Sequence, residues 1–128
     1  MSSSWQRLCR ATGLSVDGAY VDVRFREGRR HRVGVEETET AYLLRAVVAR
    51  RRRLDDLTSD QVDVPVEVWL RNRATALVGF RIDRRGFLVG EAWVPKVGLT
   101  AAEFQLYVRA VAAESDRFEY ALTGRDVE

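Results

Sequence analysis

Two neighbouring stretches of the chain alternate strictly between apolar and polar positions. Val21, Val23 and Phe25 fall on one side, with Asp22, Arg24 and Arg26 on the other. This is the period of a half-buried strand over residues 19 to 26. Glu27-Gly28 follows as a tight turn. His31, Val33 and Val35 then alternate with Arg30, Arg32 and Glu36, so the two strands are expected to pair as an antiparallel hairpin. Ahead of them, residues 3 to 13 read as a short helix. Trp5, Leu8, Cys9 and Thr12 share a face, Ser3 and Gln6 have capping-box spacing, and Gly13 is placed as the stop.

Residues 40 to 70 admit two patterns. Tyr42 to Ala49 fits a third strand, or equally a helix running on through Leu54 and Leu57. Val62, Val64, Val66, Val68 and Leu70 alternate as in a strand. Pro65 could instead open a helix at its first position, with Val66, Trp69, Leu70 and Arg73 on one face. Asp60 to Asp63 reads as a linker. Beyond this the pattern is plainer. Thr75 to Asp83 is apolar and β-prone, Asp83-Arg84-Arg85-Gly86 is a turn, and Phe87 to Val94 returns as the paired strand, ended by Pro95. Thr100 and Glu103 form a capping box, with Leu99 and Phe104 as a hydrophobic staple. The helix that follows carries Phe104, Tyr107, Val108, Val111, Ser115, Phe118 and Leu122 as its inner stripe, and Gly124 is placed as its stop.

Length and composition narrow the class. The 128 residues suit one domain over 1–128 and are enough for a core without staples. One cysteine, Cys9, excludes an internal disulfide and a multi-thiolate zinc site, and its helical face makes it a small buried hydrophobe. No apolar run reaches the roughly 18 residues of a membrane span. No signal-peptide pattern opens the chain, so a cytoplasmic domain without membrane contact is expected.

Net charge is +2, but the basic side is twenty Arg and one Lys, and it is unevenly spread. Residues 24 to 53 hold ten Arg against four Glu, whereas residues 100 to 128 hold three Arg against six acids. The densest point is the run Arg50, Arg51, Arg52, Arg53. Such a run is a footprint of nucleic-acid contact, although Asp55, Asp56 and Asp60 follow at once and only Tyr42 lies near for base stacking.

Candidate chemistry is sparse. His31 is the only histidine, and its neighbours Arg30 and Arg32 disfavour the imidazolium, so no nucleophile-base pair is expected. Asp55, Asp56, Asp60 and Asp63 lack the glycine and final glutamate of a calcium loop, and no glycine-rich phosphate loop opens a helix. Glu114, Asp116, Arg117 and Glu119 read as a solvated helix face. No catalytic residue, metal or cofactor is assigned, and the expectation is a protein without enzymatic activity. Three tryptophans in so short a chain point instead to contact surfaces, where Trp is enriched.

One stretch resembles a known family. Trp69-Leu70-Arg71-Asn72-Arg73-Ala74-Thr75 is followed by Ala76-Leu77-Val78-Gly79-Phe80-Arg81-Ile82-Asp83. Then come Gly86-Phe87-Leu88-Val89-Gly90-Glu91-Ala92-Trp93-Val94-Pro95 and a capped helix with Phe104, Tyr107, Val108 and Asp116-Arg117-Phe118-Glu119. Over residues 62 to 125 this looks like a YbjN-like domain, whose fold resembles the type III secretion chaperones. The resemblance implies an α+β fold in the order helix, three strands, helix, two strands, helix, with one antiparallel sheet and packed helices. Tyr42 to Arg50 becomes the third strand and Pro65 to Ala74 the middle helix. It also implies a homodimer that binds a client protein, acting as a chaperone-like adaptor or stress-response regulator.

On this reading Trp69, Leu70, Leu77 and Phe80 are expected at the dimer face, and Trp5, Leu8, Tyr20 and Trp93 at the client. The competing expectation is a nucleic-acid-associated protein using the Arg-rich segment 24–53, with Arg50 to Arg53 at its centre.

Overall fold

The computed structural model describes residues 5–127, with side chains described through Thr123. Ser3, and with it the expected first capping box, lies outside the described residues. The first helix is a single turn, α1 (Trp5–Leu8), far shorter than residues 3 to 13. Gly13 follows at φ 87, and the chain turns directly into a strand, β1 (Leu14–Asp17), that the hydrophobic pattern did not announce. A two-residue turn at Gly18 and Ala19 joins it to β2 (Tyr20–Arg24), with Asp17 opposite Tyr20. Gly18 has φ 62, the left-handed region such turns need. The expected hairpin partner is β3 (Arg30–Glu37), in register with Val21 opposite Val33 and Val23 opposite His31.

The ambiguous middle resolves into strand, helix, helix. β4 (Ala41–Ala49) is the third strand that the resemblance implied, and it sits in mid-sheet with Leu44, Ala46 and Val48 buried. The Arg run opens an additional helix, α2 (Arg51–Ser59), which buries Leu54 and Leu57. Val64–Ala74 forms α3, not a strand. Asp63 accepts the backbone N–H of Val66 as N-cap, and Pro65 lies in the first turn, where its missing N–H costs nothing. Only Val64 and Val68, four residues apart, turn inward; every second valine mimicked a strand.

β5 (Gly79–Ile82) and β6 (Leu88–Pro95) form the expected second hairpin. Its turn is held by Asp83, whose Oδ1 accepts the N–H of Arg85 and of Phe87. The capping box is present at both ends: Glu103 N–H donates to Thr100 Oγ1 at 3.1 Å, and Thr100 N–H donates to Glu103 Oε1 at 3.0 Å. It opens α4 (Ala101–Val127), which runs through Gly124 rather than stopping there.

The six strands form one antiparallel sheet in the order β1-β2-β3-β4-β6-β5. α4 lies across β2, β3, β4 and β6 and buries Phe104, Val108, Val111, Ala112, Phe118 and Leu122 against them. Burial of each large member of that stripe is worth about 1.5–3 kcal/mol. Phe104 meets the rings of Trp5 and Tyr42, and Phe118 meets Phe80 edge-on. The fold is therefore α+β with one antiparallel sheet, carrying one more strand and one more helix than the resemblance implied.

Candidate functional site

Two of the eight residues expected at contact surfaces are core. Trp5 is 4% exposed against Phe104, and Phe80 is 4% exposed against Phe118, so neither side chain is presented to a partner. Leu8 is partly buried against the same core. The other five are exposed, and three of them lie close together in the chain. Because α3 turns only Val64 and Val68 inward, Val66, Trp69 and Leu70 project outward at helical spacing, with Leu77 in the connection just beyond. The Arg73 guanidinium stands 4.9 Å from the Trp69 ring centre and rims this stripe with positive charge.

The stripe is held rigidly beside the sheet edge. Asn72, on the last turn of α3, donates from Nδ2 to the Phe80 carbonyl and accepts the Phe80 N–H at 2.7 Å. Its amide thus completes the pairing of edge strand β5 as a further strand would. Arg71 stacks over Phe118 and ties α3 to α4.

Tyr20 and Trp93 lie on the sheet face opposite α4, but they do not form one patch. Two strands separate them, or about 14 Å across the sheet at the usual strand spacing. Charged rows occupy this face. Arg32 bridges Asp17 and Asp22, and Glu91 is shared by Arg45 and Arg81. Burial alone would raise the Glu91 carboxyl, but hydrogen bonds from Arg81 and Arg45 outweigh it and hold the group below its usual range.

An open groove of about 1010 Å³ lies where β3 and β4 part. Their pairing ends at Gly34 opposite Arg45, and β4 is irregular between Val47 and Ala49. His31 fills the gap. Its Nε2 lies 2.9 Å from the Val47 carbonyl oxygen, and a carbonyl only accepts, so Nε2 carries hydrogen. The other ring nitrogen faces α4, with Nδ1 3.6 Å from Asp116 Oδ1 and 3.7 Å from Glu119 Oε1. The second oxygen of Asp116 accepts from Arg29. Burial pushes the Glu119 carboxyl up, and the neighbouring His31 only partly offsets this.

The setting of His31 is thus the reverse of the one expected from its neighbours in sequence. Strand alternation turns His31 toward two carboxylates 85 and 88 positions away and sends Arg32 to Asp17 and Asp22 on the opposite face, while Arg30 lines a shallow cleft beside Asp116 and Glu119. Asp116 and Glu119 are the functional candidates that sequence reasoning missed. Their i,i+3 spacing is visible, but its meaning depends on a pairing that only the fold makes.

The Arg run is dispersed by its helix. Arg50 and Arg53 line the groove, Arg51 packs its methylenes on Gly86, and Arg52 is exposed. Of the other groove arginines, Arg32, Arg45 and Arg85 are paired with carboxylates. Arg50 and Arg85 both stand over the Phe87 ring, which occupies the groove's phenylalanine. Among the described residues, no helix is long and apolar enough to cross a membrane. No family model, curated protein or solved structure matches the chain.

Proposed function

We propose that this protein is a non-enzymatic, YbjN-like adaptor that acts as a homodimer and binds another protein. The observation that carries the reading is the outward stripe of Val66, Trp69 and Leu70 with Leu77, each more than 40% exposed. A rigid helix spends apolar surface this way where a second chain covers it. Asn72 and Arg71 fix the helix in place, so little ordering cost opposes association. Trp93, 59% exposed on the far sheet face, is the client-facing residue in this reading, with Tyr20 marking a separate flank.

The nucleic-acid reading has less support. Its four central arginines do not share a surface, and three other groove arginines already have carboxylate partners. Capture from native lysate, with and without nuclease and at raised salt, separates the two. A protein partner that survives both treatments, and is weakened by Trp93→Ala, is expected. Recovery of nucleic acid alone, lost steeply as salt rises, overturns the adaptor reading.

A further inference from the structure

We propose that His31, Asp116 and Glu119 form a binding site for one divalent metal ion of the zinc class at the seam between β3 and α4. The argument begins with the histidine. Its Nε2–H is committed to the Val47 carbonyl, which leaves Nδ1 as the nitrogen that meets the two carboxylates. The side chain is only 8% exposed, and Nδ1 faces both carboxylates at 3.6 and 3.7 Å, too far for a direct hydrogen bond to either. A cation held between them would be shared by Nδ1 and both carboxylates, whereas a direct charge-assisted hydrogen bond closes to about 2.7–2.9 Å, shorter than either separation here.

The spacing suits a larger cation. Two donors each about 2.1 Å from one zinc ion stand about 3.4 Å apart at the tetrahedral angle. The three donor atoms all lie within 4.8 Å of one another, and Glu119, with its side chain 48% exposed, has room to swing inward.

The surroundings have the form of a metal site's outer shell. A ligating histidine usually donates its other N–H to a carbonyl, and ligating carboxylates are usually hydrogen-bonded in turn. Val47 and Arg29 fill these two roles, with Arg29 on the Asp116 oxygen that faces away from the cluster. Glu119 and His31 also line the groove, so the remaining coordination positions open toward solvent.

The test uses the full chain, stripped with chelator and titrated with Zn²⁺ alone by calorimetry. One ion per chain is expected, with affinity falling at least tenfold in Glu119→Gln and in Asp116→Asn. Glu114→Gln, whose side chain pairs with Arg117 instead, leaves it unchanged. Zn²⁺ also raises the melting temperature of the native chain but not of the two ligand variants. Glu119→Gln alters a half-exposed side chain and so keeps the test independent of misfolding. Absence of binding overturns the proposal. So does binding that survives both ligand substitutions, or an NMR spectrum showing both ring nitrogens of His31 protonated in excess Zn²⁺.

Discussion

Gly90 stands where β6 passes beneath α4, opposite Phe80 in the register. A Cβ at this position would come within 2.4 Å of Ser115 Oγ and 2.8 Å of the Phe80 ring. Neither neighbour has room to retreat, since Ser115 and Phe80 are both buried. Ser115 is the small residue in the inner stripe of α4, and its hydroxyl has no hydrogen-bond partner there. Size, not polarity, accounts for serine at that point. Gly90→Ala is therefore expected to destabilise the chain by about 1–3 kcal/mol, measured by denaturant unfolding. The stripe itself was legible in the sequence, because its 3.6-residue period needs no partner to be seen. The glycine that faces it was not, because close approach between elements leaves no mark on either one alone. His31 makes the same point from the other side: its sequence neighbours suggested a positive setting, and the fold supplied a negative one.

At the scale of elements, local signals were reliable where chemistry and period agreed. The capping box at Thr100, the Asp83 turn and the β2–β3 hairpin all stand where the pattern puts them. The pattern was ambiguous where apolar residues were too frequent to show a period, as in β4, and it misled where period 2 arose by coincidence, as in α3. β1 was missed because Leu14 to Asp17 is only four residues long, too short to show a period. In α3 the decisive signals were Asp63 and Pro65, which set the helix start whatever the valines suggest. Asn72 then links that helix to β5. Asn72→Ala leaves the Phe80 N–H and carbonyl without their partner, at a cost of about 1–3 kcal/mol. Hydrogen exchange at the Phe80 amide should accelerate markedly in that variant, while amides of mid-sheet β4 stay protected. Unchanged exchange at Phe80 would show that α3 is not tied to the sheet in this way.

For the whole molecule, the uneven charge along the chain does not become a simple dipole. The basic start of β3 meets the acidic side of α4 through Arg29, His31, Asp116 and Glu119, and much of the imbalance is neutralised inside the fold. The sheet face repeats the principle with alternating rows. The carboxyl of Asp22 is held below its usual range by its bond from Arg32. At Asp83 burial opposes the charged form, but the backbone N–H of Phe87 and the Arg85 side chain outweigh it. These groups and Glu91 are depressed in the folded state, so their stabilisation is complete above the unfolded carboxylate range, about pH 4. It is lost as pH falls through their folded values. The melting temperature is expected to drop on acidification below about pH 4, and less so in high salt, which screens the exposed pairs. What charge does not neutralise is the apolar stripe on α3, and it is this surface that the adaptor reading assigns to a second copy of the chain. Sedimentation equilibrium at micromolar concentration tests that directly, on the native chain and on a Trp69→Ala, Leu70→Ser variant. The account predicts a dimer for the native chain and a folded monomer for the variant. A native chain that sediments only as a monomer, or a dimer untouched by the two substitutions, would contradict it.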